Sequence, residues 1–178
     1  MAGAGGVRAV TVRYRMARGD DAERLVAMFH DCFRDTFGHL YDPRDLAAFL
    51  DGHTVEQWRG QFDSGDYAVR IAEDGDQLAG FLKLGPLRLP VEPVGQALEL
   101  RQLYVGAAWQ GSGTARALMD WMIAEARRLD IDEIYLSVFT QNHRARQFYA
   151  RYGFEDVGPY AFMVGNQADE DVIMRLKL

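Results

Sequence analysis

The stretch Leu100–Met119, LRQLYVGAAWQGSGTARALM, constrains the fold more than any other part of the chain. It reads as a buried strand, a short turn, a glycine-rich loop and the opening turns of a helix. A strand that runs through such a loop onto a helix N-terminus presents consecutive backbone N–H groups to an anion, most often a phosphate. The strand spans Ala97–Val105, and its apolar phase shifts along the way: Leu98 and Leu100 are even, Leu103 and Val105 odd. A strand keeps period two, so the shift predicts an inserted residue, a β-bulge near Arg101–Gln102, with backbone N–H groups left free for a ligand.

The flanking segments set the fold class. Thr11–Met16 alternates as a strand with Val12, Tyr14 and Met16 on one face. Asp20 or Asp21 opens a helix through Phe33 whose apolar stripe includes Cys32, read as a core thiol. Thr36–Tyr41 reads as a loop, Pro43 starts a second helix through Leu50, and Thr54 caps a third through Phe62. Glu73-Asp74-Gly75-Asp76 turns a hairpin between Tyr67–Ala72 and Gln77–Leu84, and Gly85–Gly95, with three of the five prolines, is a loop.

Beyond the glycine-rich loop, a helix over Ser112–Leu129 carries Ala115, Leu118, Met119, Met122, Ile123 and Ala126 on one face. Glu133–Phe139 is apolar on both faces, as a strand covered on each side must be. Asn142 opens a helix that Gly153 ends, and Glu155–Phe162 and Asp171–Lys177 are strands joined by a polar turn, Gly165–Glu170. The order is α/β, an early antiparallel hairpin followed by a β–α–β unit. One domain over residues 11–178 is expected behind a flexible tail of residues 1–10, most mobile over Met1–Gly6; 178 residues suffice for a core.

Charge narrows the partners. A net charge of −6 argues against nucleic acid, but its distribution is uneven. Residues 31–76 hold eleven Asp/Glu against four Arg, whereas residues 101–151 hold seven Arg against five Asp/Glu. One half suits a cationic substrate and the other a phosphorylated cofactor. A single cysteine and the lack of Cys/His ligand spacing leave no expectation of a disulfide or a metal. MAGAGGVRAV lacks a signal pattern and no apolar run approaches the ~20 residues of a membrane span, so a cytoplasmic location with no membrane partner is expected.

The loop Gln110-Gly111-Ser112-Gly113-Thr114-Ala115-Arg116 excludes two common nucleotide sites. A dinucleotide fingerprint needs a third glycine where Arg116 stands, and a Walker loop needs a lysine that is missing. Gln110, Gly113 and Ala115 instead match Gln/Arg-x-x-Gly-x-Gly/Ala. Asn142, Ala145, Phe148, Tyr149, Gly153 and Phe154 match Asn-x-x-Ala-x-x-Phe/Leu-Tyr-x-x-x-Gly-Phe. On these two motifs the chain resembles the GCN5-related N-acetyltransferase (GNAT) family over roughly Leu98–Val157.

The resemblance implies a mixed sheet of about seven mostly antiparallel strands, helices on both faces, splayed at the bulged central strand. Acetyl-CoA would lie in the opening. Leu103, Tyr104 and Val105 would border its pantetheine arm, and Gly111, Ser112, Gly113, Thr114, Ala115 and Arg116 would surround its pyrophosphate. Gln110, Asn142 and Arg146 complete the implied cofactor set, and Tyr149 would protonate the leaving thiolate. Glu99 is the candidate base, with a structural pairing to Arg101 as the alternative. The first third is similar, more loosely, to bacterial spermine/spermidine acetyltransferases, which makes a small cationic amine the expected acceptor and Asp31, Asp35, Tyr41, Asp42 and Asp45 its candidate contacts. A protein or peptide N-terminus, a silent acetyl-CoA-binding module, and a homodimer stay open at this point.

Overall fold

Residues 11–178 are described in the computed structural model; the expected tail of residues 1–10 lies outside them. Strand β1 (Arg13–Met16) leads through a 3₁₀ turn, Gly19–Asp21, into α1 (Ala22–Phe37). Asp21 does not cap that helix with its side chain. It is buried in an ion cluster, accepting from Arg15 Nη1 at 2.8 Å, Arg24 Nε at 3.0 Å and Arg18 N at 2.8 Å. Thr36 and Phe37 continue α1 past its expected end because neither breaks a helix, and a 3₁₀ turn, Gly38–Leu40, replaces the expected loop. Helices α2 (Pro43–Asp51) and α3 (Val55–Ser64) follow, with Asp42 and Thr54 as their caps.

Strands β2 (Ala68–Asp74) and β3 (Gln77–Pro86) form the hairpin, and β4 (Ala97–Val105) returns after the proline-rich loop. Then come α4 (Thr114–Arg128), β5 (Glu133–Phe139), α5 (His143–Arg151), β6 (Glu155–Val164) and β7 (Gln167–Lys177). The last turn is only Gly165-Asn166, so β7 begins four residues earlier than the polar composition of Gln167–Glu170 suggests. Met16 is exposed rather than on a buried face, as befits an edge strand.

All seven strands belong to one mixed sheet, in the order β1-β2-β3-β4-β5-β7-β6, with β4–β5 the single parallel neighbour pair among the described residues. One core lies under α4, whose Leu118, Met119, Met122 and Ala126 pack on Leu82, Leu84, Leu136 and Met174. The other lies under α1–α3, where Phe29, Phe33, Leu50 and Trp58 cover Ile71 and Phe81. Full burial of each Leu or Phe contributes about 1.5–3 kcal/mol, so both faces of the sheet are firmly covered. No helix among the described residues is long and apolar enough to cross a membrane.

Candidate active site

The site exists because β4 and β5 pair over only three positions, Ala97–Glu99 with Glu133–Tyr135. Past Glu99 the strands part. There the β3–β4 register jumps from Lys83↔Gln102 to Leu84↔Leu100, which leaves Arg101 as the extra residue of a bulge, where the phase shift places it. A cleft of about 670 Å³ fills the opening, walled by Leu100–Val105 on one side and Leu136–Phe139 on the other. Leu103, Tyr104 and Val105 all line it.

At one end of the cleft a 3₁₀ turn, Ala107–Trp109, hands the chain to the glycine-rich loop. Trp109 Nε1 anchors that turn on Asp74 at 3.2 Å. Gly111 and Gly113 have φ of 79° and 89°, conformations that favour glycine, and Gly113 is the N-cap of α4. The first helical bond runs from Ala117 N to Gly113 O at 3.0 Å, so the amides of Thr114, Ala115 and Arg116 have no intrahelical partner and stand at the positive end of the α4 dipole.

Gln110, Gly111, Gly113, Ala115 and Arg116 line the cleft; the side chains of Ser112 and Thr114 do not. The Ser112 hydroxyl donates to Trp109 O at 2.6 Å and lies 2.8 Å from Thr114 Oγ1, so this pair braces the loop. Arg146 also departs from expectation. It is committed to Asp156 at 2.8 Å and Thr140 O at 3.3 Å, outside the cleft lining. Arg144 does line the cleft and donates to Gln110 Oε1 at 2.9 Å, and Arg151 lines it too. The spacing of the last motif does not distinguish Arg144 from Arg146; only the direction each takes from α5 does.

Asn142 both lines the cleft and caps α5, accepting from Ala145 N at 3.2 Å. Tyr149 projects from α5 into the same cleft, its ring packed at 5.6 Å and 5.8 Å from those of Phe148 and Phe154. Burial pushes its phenol up to about 12, so the group is a proton donor at neutral pH. Burial acts on thiols of this cleft in the same way. Cys32 proves to be half-buried on the cleft wall, and its thiol is pushed up to about 11 by burial first and by Asp35 and Asp31 next.

The far end is acidic, but not through all the residues the charge run suggests. Asp35 and Tyr41 line the cleft. Asp31 is 76% exposed beside Arg34, Asp42 caps α2 by accepting from Arg44 N at 2.8 Å, and Asp45 holds the β6–β7 turn by accepting from Asn166 N at 3.0 Å and Nδ2 at 3.1 Å. None of these three lines the cleft. Asp169 and Asp171, which sequence reasoning missed, do. The Tyr41 hydroxyl donates to Asp169 Oδ2, and Gln167 Nε2 donates to its Oδ1 at 3.3 Å. Asp171, opposite Phe139 in the β5–β7 register, is 6% exposed, and its Oδ1 has no hydrogen-bond partner among the described residues. Burial, reinforced by the charge of Asp169 and opposed by the Ser137 hydroxyl, raises its carboxyl to about 6.

Glu99 lies elsewhere. It opens onto a second cavity behind β4 and is absent from the lining of the main cleft. Its Oε1 lies 3.1 Å from Arg101 Nη1, and its Oε2 accepts from the amides of Arg88 at 2.8 Å and Leu89 at 3.3 Å. Both oxygens are engaged, and through them Glu99 ties the proline-rich loop to the bulge.

Residues 22–154 match the model of the acetyltransferase (GNAT) family. The chain is 27% identical over 163 residues to an uncharacterised N-acetyltransferase of Lactobacillus delbrueckii subsp. lactis, an alignment covering 89% of this chain and 92% of the relative. Among solved structures it resembles the PaiA N-acetyltransferase of Thermoplasma acidophilum in complex with coenzyme A, with a TM-score of 0.75, 19% identity, and coverage of 94% of this chain and 99% of that one. It resembles YncA of Salmonella typhimurium, solved with acetyl-CoA, with a TM-score of 0.71, 20% identity and 94% coverage of both chains. A bulged β4, a cleft where β4 leaves β5, and a glycine loop feeding α4 thus accompany a family match across most of the sequence, and the chain belongs to the GNAT acetyltransferase family.

Proposed function

We propose that this chain is an acetyl-CoA-dependent N-acetyltransferase that acetylates the primary amine of a small molecule by direct transfer in a ternary complex. One observation carries the reading. A single cleft joins the first-turn amides of α4 at one end to the unpartnered carboxylate oxygen of Asp171 at the other, with Tyr149 on its wall. The cofactor fits the residues present: amides and Arg144 for a pyrophosphate, and an open β4 edge for an extended amide-bearing arm.

An alkyl ammonium with a pKa near ~10.4 is neutral in only about one molecule in 10³ at pH 7, so a proton acceptor must stand beside it. In this reading Asp171 takes that proton, since its Oδ1 has no partner among the described residues whereas both oxygens of Glu99 are engaged. Tyr149 gives its proton to the departing thiolate, and the second proton lost from the acylated nitrogen restores the phenol. A phenol at about 12 stays protonated at neutral pH and so has a proton to give when the thiolate departs. Support for a cationic amine group at this end comes from Asp35, Asp169 and Asp171 rather than from Asp31, Asp42 and Asp45.

The test is CoA-thiol release against polyamines, amino acids, aminoglycosides and N-terminal peptides. Turnover of at least one small amine is expected; stoichiometric acetyl-CoA binding with no release against the whole panel would make the chain a silent binder. A second measurement checks the phosphate end. A Cβ at Gly113 meets no atom within 4 Å, so its φ of +89° is the only constraint there. Forcing a β-branched residue into that region costs about 1–3 kcal/mol. Gly113→Val is therefore expected to weaken CoA binding by about tenfold or more in calorimetry while the circular dichroism spectrum stays unchanged.

A further inference from the structure

Behind the bulge, on the face covered by α1–α3, lies the second cavity, of about 220 Å³. Leu100, Arg101, Gln102, Tyr104 and Ser137 line both this chamber and the main cleft, so the two spaces adjoin along the bulged strand. The charges around the chamber are lopsided. Lys83, Arg88 and Arg101 face it, against one carboxylate among its described lining residues, Glu99, whose oxygens are already engaged.

Lys83 is the unusual member. It sits opposite Gln102 in the β3–β4 register and is only 4% exposed. Its Nζ lies 3.7 Å from the centroid of the Trp58 ring and 5.4 Å from that of Tyr67, and it forms no salt bridge among the described residues. Two aromatic faces offset part of the cost of burying an ammonium, but a buried cation is ordinarily matched by an anion. Burial and the nearby charge of Arg101 accordingly lower Lys83 to about 7. Gln61 Oε1 and Gln102 Oε1, in side chains that line the same chamber, also lack hydrogen-bond partners. An amide oxygen accepts, so these two suit an N–H of a guest or a water, while a carboxylate in the chamber finds its donors in Lys83 and Arg101. At roughly 30 Å³ per water-sized group, its volume admits a carboxylate and a short carbon chain.

We propose that this chamber is an anion subsite for the acceptor: the amine nitrogen faces Asp171 in the main cleft while a carboxylate of the same molecule sits between Lys83 and Arg101, which makes the acceptor an amino carboxylate rather than a polyamine. The inference rests on the transferase reading above. A polyamine would place a second cation against Lys83, Arg88 and Arg101, where like charges repel. An amino carboxylate is matched at both ends, its ammonium by Asp171 and Asp169 and its carboxylate by the two cations, through charge-assisted hydrogen bonds.

The experiment is CoA-thiol release with the unaltered enzyme and three matched series: α- and ω-amino acids of increasing length, the alkylamines that lack the carboxylate, and the diamines that replace it with a second amine. The best amino acid is expected to exceed its matched alkylamine and diamine about tenfold or more in kcat/KM, with its methyl ester falling to the alkylamine level. Lys83→Met is expected to reduce that preference by about tenfold, and Arg101→Gln to reduce it in the same direction. Because the ester comparison needs no variant, misfolding of either substitution leaves the test intact. Diamines or plain alkylamines turned over as well as the amino acids would overturn the anion subsite and leave the transferase reading standing. No CoA release with any member of the three series would overturn the anion subsite, and no release with aminoglycosides and N-terminal peptides as well would overturn the transferase reading too.

Discussion

Tyr149→Phe is expected to lower kcat by about 10²–10³-fold across the pH range while the affinity for acetyl-CoA stays within a few-fold. The substitution removes one oxygen. The ring keeps its packing against Phe148 and Phe154 and its place on the cleft wall, so neither the fold nor the cofactor surface loses an apolar contact. What is lost, on the proposed mechanism, is the proton that must reach the leaving thiolate. Burial holds the phenol at about 12, so it is protonated wherever the enzyme is stable, and the defect adds no new inflection to the pH profile. Stopped-flow release of thiol with saturating acetyl-CoA reads the effect directly. Full kcat in the phenylalanine variant would remove Tyr149 from the reaction and leave it a wall residue.

Asp171→Asn is expected to separate activity from stability. As the proton acceptor, Asp171 works only when ionised, so kcat/KM for the amine should carry an acidic limb centred near 6 that the asparagine variant lacks, along with a loss of about 10²-fold or more in rate. Stability should move the other way. Folding raises this carboxyl from 3.8 to about 6, so the native state binds the proton more tightly than the unfolded chain does. Its contribution is full below the unfolded value and is lost as pH rises through the folded one, a difference of about 3 kcal/mol at 1.36 kcal/mol per pKa unit. Asparagine never ionises. Above pH 6 the variant should therefore melt several degrees higher than the parent, since about 1 kcal/mol shifts Tm by roughly 2–4 °C in a chain of this size. A residue that merely supported the fold would lower both quantities together.

These two residues differ in how far the sequence reveals them. Tyr149 stands in a motif whose spacing is fixed by one helix, so six positions identify it without knowledge of the rest of the chain. Asp171 opens the strand expected over Asp171–Lys177, but no local pattern marks which space it faces; only the β5–β7 pairing, which sets it opposite Phe139, makes it a cleft residue. Strands with strong local patterns were legible to the residue: Ala97–Val105 and Glu133–Phe139 keep their expected limits, and the phase shift locates the bulge at Arg101. Where boundaries moved, the cause was local at the end of α1, where neither Thr36 nor Phe37 breaks the helix, and tertiary at the start of β7, whose first residues pair with β6.

The acidic run of residues 31–76 teaches a related lesson. Charge balance counts carboxylates without regard to their duties, and Asp42 and Asp45 spend theirs on a helix cap and a turn. Glu99 is similar: its place on the central strand suits a base, but its partners come from a loop eleven residues earlier and from the bulge itself. No local pattern separates such an engaged carboxylate from a free one.

The three-position seam between β4 and β5 has a mechanical meaning for the whole molecule. It divides the sheet into a four-stranded leaf, β1 to β4, and a three-stranded leaf, β5, β7 and β6, that meet like the covers of a half-open book. A ligand seated in the opening touches both covers and acts as a splint across the spine. Occupancy then firms the molecule as a whole, adding free energy that grows as RT ln(1 + [L]/Kd) with the concentration of whatever fills the gap.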